Sequence, residues 1–134
     1  MLTDVILLPA TTVQTGVTLC LAAHTGNNVQ CADGAGKARC DNPNRLLWEH
    51  MRLKQVSAQH FVLTSMRTGN NLQCRADGSM SFANKNEGLW EKFALEQDGE
   101  SLFFISAHTG KVMQCTRSGE LRCHNQNRRA WSCA

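Results

Sequence analysis

The richest chemistry in this chain belongs to its cysteines: Cys20, Cys31, Cys40, Cys74, Cys115, Cys123 and Cys133. A thiolate can act as a nucleophile or hold zinc, but each use demands particular neighbours. No pair shows the C-x-x-C spacing of zinc ribbons or thioredoxin-like redox sites, and the nearest approach to a ligand set is Cys115, Cys123 and His124. A catalytic cysteine needs a histidine beside it and a lowered pKa, whereas most of these cysteines read as buried apolar positions. The carboxylates Glu91, Glu96, Asp98 and Glu100 cluster without an obvious pair on one pocket. No glycine-rich phosphate loop follows a strand and opens a helix. The expectation is a chain that is not an enzyme and holds no metal or cofactor.

An odd number of cysteines excludes a complete disulfide framework. The apolar run Val5 to Leu8, between Asp4 and Pro9, is too short for a membrane span or a secretory leader. Together these point to a reducing, cytoplasmic setting in which all seven cysteines are free thiols.

The elements that position these residues emerge from internal repetition. LAAHTGNNVQC (Leu21 to Cys31), TSMRTGNNLQC (Thr64 to Cys74) and ISAHTGKVMQC (Ile105 to Cys115) superimpose on a shared Thr-Gly and Gln-Cys. Downstream, Gly36, Gly78 and Gly119 each begin a twelve-residue step to Trp48, Trp90 and Trp131, with an Asn-x-Asn between. Three copies of about 42 residues follow, at roughly 17–58, 59–100 and 101–134. In each, short apolar segments alternate with Gly and Asn turn signals, the pattern of strands and tight turns.

The first copy reads as strands Val17 to Ala22, Asn28 to Ala32, Lys37 to Cys40 and Trp48 to Lys54. The second gives His60 to Ser65, Asn71 to Arg75, Ser79 to Ala83 and Trp90 to Glu96. The third supplies Leu102 to Ala107, Val112 to Thr116 and Glu120 to Cys123, and Val5 to Leu8 is left to complete it. Three copies are too few for a propeller, and equally regular first and last copies do not suit a capped solenoid. Closure about a pseudo-threefold axis remains: an all-β chain, a β-trefoil of twelve short strands forming a single domain over 1–134.

Positions that recur three times read first as architecture. Leu19/Val62/Phe103, Leu21/Thr64/Ile105, Val29/Leu72/Met113 and Met51/Phe93 form the expected core. Cys31/Cys74/Cys115 and Cys40/Phe82/Cys123 make two more packed columns. Each tryptophan is expected at the base of its repeat, its indole N–H bonded to backbone. His24/Arg67/His108 form a polar column at an exposed turn.

Asn42/Asn44, Asn84/Asn86 and Asn125/Asn127 either brace long turns or line three polar pockets suited to a sugar. The third copy is basic, with Lys111, Arg117, Arg122, Arg128 and Arg129 against Glu120 alone, and such a face suits an acidic partner. A net charge of +3 with no tyrosine and eight Phe or Trp argues against nucleic acid.

The strings C-L-x-x-H-x-G at Cys20 to Gly26, I-S-A-H-T-G-K at Ile105 to Lys111, G-E-L-R-C at Gly119 to Cys123 and W-E-K-F-x-L at Trp90 to Leu95 resemble the repeats of fascin and its relatives. That group of β-trefoils crosslinks actin and includes the fascin domains and the hisactophilins. The chain departs from it in one place: the family's Gly-Lys-Tyr-Leu is here Gly-Asn-Asn-Val, Gly-Asn-Asn-Leu and Gly-Lys-Val-Met. Ricin-type lectins carry Gln-x-Trp, whereas Leu46, Gly88 and Arg129 stand two before each tryptophan here.

The resemblance implies a cytoskeleton-associated module that binds a protein partner, filamentous actin first. His24, Arg67, His108, Lys111, Arg128 and Arg129 are the candidate contacts. The competing reading is a lectin-like trefoil that binds carbohydrate through the Asn-x-Asn loops.

Overall fold

A computed structural model of the chain describes residues 18–23, 25–33, 35–98 and 101–126. Eleven strands are found among the described residues: β1 Thr18–Leu19, β2 Asn28–Cys31, β3 Ala38–Asn42, β4 Met51–Gln55, β5 Phe61–Ser65, β6 Asn71–Cys74, β7 Met80–Asn84, β8 Phe93–Asp98, β9 Ser101–Ser106, β10 Val112–Cys115 and β11 Leu121–Asn125. Every pairing is antiparallel. Strands β1, β4, β5, β8 and β9 follow one another around a barrel wall, and β2–β3, β6–β7 and β10–β11 are hairpins. This is the β-trefoil plan that the repeats imply. The proposed closing strand, Val5 to Leu8, lies outside the described residues.

The hairpins hold the threefold arrangement together through one bond repeated cyclically. Cys40 N–H donates to Gly119 O at 2.7 Å, Phe82 N–H to Gly36 O at 2.7 Å, and Cys123 N–H to Gly78 O at 2.8 Å. All three glycines have positive φ, 91° at Gly36, 87° at Gly78 and 81° at Gly119, a region that a side chain disfavours. At Gly36 a Cβ would also stand 2.1 Å from Phe82 O, and at Gly119 2.4 Å from Asp41 Cβ. Glycine is thus required there for its conformation and for the close approach of the next repeat.

Leu21, Val29, Met51, Leu53, Leu63, Leu72, Phe82, Phe93, Phe104 and Met113 lie fully buried in one core cluster. Phe93 and Phe104 meet edge-on at 6.1 Å between centroids. One expected core column needs correction: Leu21 is buried, but Thr64 and Ile105 are only half-buried. Successive side chains of a strand alternate faces, and it is Leu63 and Phe104, one position earlier, that enter the core. Thr64 instead donates its hydroxyl to Asn71 Oδ1 at 2.6 Å.

The cysteine columns also need revision. Cys40 and Cys115, expected as free thiols, are joined in a disulfide across 75 residues. The cyclic arrangement explains the pairing, because the first cysteine column of each repeat faces the second column of the next. Cys31, Cys74 and Cys123 are free and buried, as a packing role requires.

Candidate functional site

The tryptophans depart most from the sequence reading. Trp48 and Trp90 do not begin strands; each lies in a 3-10 turn, Leu47–Glu49 and Leu89–Glu91, just before β4 and β8. Their side chains face solvent, 44% exposed at Trp48 and 43% at Trp90. The neighbouring leucines are also outward: Leu46 is 70% exposed, Leu47 53% and Leu89 55%.

The turn closes on the glutamate instead. Glu49 is 2% exposed and Glu91 3%. Each closes its turn by an N–H bond three residues back, to Leu46 O at 2.9 Å and to Gly88 O at 3.1 Å. Each then returns a carboxylate oxygen to the amide of that same residue, at 3.0 Å in both copies. Two otherwise orphaned backbone groups are satisfied, and the price is an apolar turn left in water. Removing the acceptor tests this arrangement. Glu91→Ala should destabilise the fold by about 1–3 kcal/mol in urea unfolding, because the Gly88 N–H loses its partner and the buried place of the Glu91 side chain is emptied, whereas Glu91→Gln keeps an acceptor oxygen and should lose clearly less.

Each exposed indole is stacked on one side by the basic column of the following repeat. Arg67 places its Cζ 3.9 Å from the centroid of the Trp48 ring, a cation–π contact. His108 stacks on Trp90, with ring centroids 4.9 Å apart and planes 17° from parallel.

Both basic groups are fixed twice more. Arg67 Nη1 donates to Cys31 O at 3.0 Å, and His108 Nδ1 donates to Cys74 O at 2.9 Å. The buried hydroxyls of Ser65 and Ser106 accept the backbone N–H of Arg67 and of His108, each at 3.1 Å. Arg67 and His108 are therefore half-buried supports of the tryptophans, not the freely exposed groups expected from their column. The third member, His24, and the tryptophan that register assigns to it, Trp131, lie outside the described residues.

The Asn-x-Asn loops brace the same turns. Asn42 Oδ1 accepts the N–H of Asn44 at 3.0 Å, and Asn84 Oδ1 accepts that of Asn86 at 2.8 Å. From the hairpins, Asn28 and Asn71 donate side-chain N–H to the carbonyls of Asn44 and Asn86, both at 2.9 Å. Asn42 also donates to Gln30, and Asn125 accepts from Gln114. The first asparagine of each described pair thus works as a turn brace, while the side chains of Asn44 and Asn86 face outward. A cleft of about 530 Å³ runs between Gln73, Asn84, Asn86, Glu87 and Trp90.

The basic third repeat is partly neutralised within the fold. Arg122 pairs with Glu120 at 3.3 Å. Lys111 is half-buried and Arg117 exposed, whereas Asn127, Arg128 and Arg129 lie outside the described residues. Among the described residues no group of three His, Cys, Asp or Glu could hold a metal ion, and no helix is long and apolar enough to cross a membrane.

Sequence reasoning missed the exposed leucine–tryptophan turns. Their signal was present as Leu46-Leu47-Trp48-Glu49 and Gly88-Leu89-Trp90-Glu91, an acidic residue three places after a turn start.

No protein-family model matches the chain, and no curated protein matches it. Among solved structures it is similar to a designed 3-fold symmetric protein, ThreeFoil, with 14% identity and a TM-score of 0.76 over 84% of this chain and 92% of that one. The likeness shows the fold, a β-trefoil built from an internal threefold repeat.

Proposed function

We propose that this chain is a non-catalytic binding module that engages a protein partner through its repeated leucine–tryptophan turns. The observation that carries the reading is the paired exposure of Leu47 with Trp48 and of Leu89 with Trp90, at threefold-related places and on rigid supports. Exposed tryptophan and leucine held in a fixed geometry resemble the anchors of protein interfaces, where preorganised aromatics contribute most of the affinity. Charged residues flank them, Arg45 and Arg67 at one turn and Lys85 and Lys92 at the other.

Filamentous actin is the partner to test first, because the fascin-like repeats imply it. Two copies of one docking element on a single rigid body would let a lone trefoil bridge two partner molecules, as crosslinking requires.

A carbohydrate-binding role is the second reading, favoured by the cleft in which Trp90 meets the amides of Gln73, Asn84 and Asn86. High-speed pelleting with filamentous actin, run beside a glycan array, separates the two. Saturable pelleting without glycan binding supports the protein module; glycan binding without pelleting overturns it.

A cytoplasmic setting belongs to the same proposal. Recovery of Cys40 and Cys115 as thiols from cells lysed in alkylating agent supports it, and recovery wholly as the disulfide opposes it.

A further inference from the structure

The Cys40–Cys115 disulfide has a threefold counterpart. Rotation of the repeats carries Cys115 onto Cys74 and Cys40 onto Cys123 in the sequence register. The backbone follows the same rotation: Cys40 N–H reaches Gly119 O at 2.7 Å and Cys123 N–H reaches Gly78 O at 2.8 Å. The isolated bridges Arg39 with Glu120 and Ser79 with Arg122 are likewise equivalent. At the remaining junction Phe82 occupies the second column, so the register offers Cys31 a phenyl ring instead of a thiol.

We propose that Cys74 and Cys123 form an oxidisable pair, a dithiol that closes to a second disulfide at the junction of the second and third repeats. Both thiols converge on one short turn. Cys74 Sγ lies 3.8 Å from Thr109 Oγ1, and Cys123 Sγ lies 3.0 Å from Lys111 O, two residues along. Both side chains are fully buried, as are Cys40 and Cys115, which leaves each cysteine little choice of partner.

The roles within the pair are unequal. A hydrogen bond from Cys123 draws the Cys74 thiol well below its ordinary value, with the hydroxyls of Ser106 and Thr109 and the nearby His108 acting in the same sense. The neighbouring Cys74 sulfur, followed by burial, pushes Cys123 upward. Cys74, drawn downward, is thus assigned the attack, and Cys123, pushed upward, the resolving step.

A hydroperoxide is a sufficient oxidant. The Cys74 thiolate attacks one oxygen of hydrogen peroxide, the O–O bond breaks, and Cys74 becomes a sulfenic acid while hydroxide departs and takes a solvent proton. Cys123 sulfur then attacks Cys74 Sγ; the S–O bond breaks and the oxygen leaves as water with the Cys123 proton. The two sulfurs lose two electrons, which reduce the peroxide to two waters.

The test uses the full chain, treated with hydrogen peroxide, alkylated in denaturant, digested without reductant and mapped by mass spectrometry. A Cys74–Cys123 linked peptide should appear beside Cys40–Cys115, two alkylatable thiols should be lost, and dithiothreitol should restore them. In Cys123→Ser, Cys74 should stop at the sulfenic acid and be labelled by dimedone; Cys123→Ala repeats the trial if the serine disturbs folding. Both thiols remaining fully alkylatable, Cys74 linking to Cys20 or Cys31 instead, or Cys74 advancing to sulfinic acid with Cys123 untouched would each overturn the proposal.

Discussion

Replacement of Gly36 by alanine is expected to lower stability by about 3–5 kcal/mol, whereas the same change at Gly26 costs about 1 kcal/mol. The two glycines share the left-handed backbone, with φ of 91° and 88°. They differ in what surrounds the missing side chain. A Cβ at Gly26 meets nothing within 4 Å, so only the conformational penalty is felt.

At Gly36 the Cβ falls 2.1 Å from Phe82 O, beside the isolated Lys37–Ser81 bridge that joins the first hairpin to the second. Relief requires the two backbones to part, and Phe82 N–H to Gly36 O, at 2.7 Å, is the bond that parting stretches. Gly119 makes the matching case, 2.4 Å from Asp41 Cβ, and Gly110 the matching control, with open space around it. Urea unfolding of the four alanine variants checks this. Equal losses at all four would show that the hairpin junctions are not close-packed through these glycines.

The second large effect belongs to the disulfide. Cys40 and Cys115 are 75 residues apart, and closing a loop of that length removes enough freedom from the unfolded chain to contribute about 4 kcal/mol. Both cysteines border a cleft of about 410 Å³ with Thr25, Asn27 and Arg117, though their side chains are buried. Reduction leaves two thiols filling nearly the same space, which makes it a cleaner measurement than substitution. The urea midpoint in dithiothreitol should fall by the equivalent of about 4 kcal/mol, and Cys40→Ser with Cys115→Ser should show the same fall with or without reductant. A native midpoint unmoved by reductant would mean that the crosslink contributes nothing.

The fold was legible in the chain because its physics is repeated three times. Each glycine that allows the close approach, Gly36, Gly78 and Gly119, stands at the same place in its copy. The hairpin Asn28–Cys31 with Ala38–Asn42 falls within a residue or two of the strands read from apolar runs and turn signals. The role of Asn42 and Asn84 was half legible. An asparagine folding back on its own loop is a local event, and the bonds to Asn44 and Asn86 are of that kind. What the donors on Asn28 and Asn71 would do was not legible, since it depends on a loop 15 or 16 residues away.

The outward placing of the tryptophans was hidden for a related reason. An apolar tryptophan beside a charged glutamate invites the reading that the ring is inside and the carboxylate outside. The opposite holds because the 3-10 turn at Gly88 to Glu91 leaves a backbone N–H that needs a buried acceptor, and Glu91 supplies it. Strand β8 consequently begins at Phe93, three residues after Trp90, and it is Phe93 that enters the core. The stacking of Arg67 and His108 on tryptophans of the preceding repeat joins residues 18 or 19 positions apart across a repeat boundary, which no local pattern reports. The disulfide was missed similarly, because alignment of the repeats shows which cysteines are equivalent and not which of them face each other.

The central claim is that the leucine–tryptophan turns are the docking surface, and pelleting of the Trp48→Ala/Trp90→Ala double variant with filamentous actin tests it most directly. Both rings are outside the core, so the variant should fold, with an unchanged far-ultraviolet circular dichroism spectrum as the check. If each anchor contributes about 2 kcal/mol, the dissociation constant should rise at least 30-fold. Native protein that pellets saturably, beside a folded variant that stays in the supernatant, is the predicted result. Undiminished pelleting of the folded double variant, or native protein that does not pellet at all, would contradict the account.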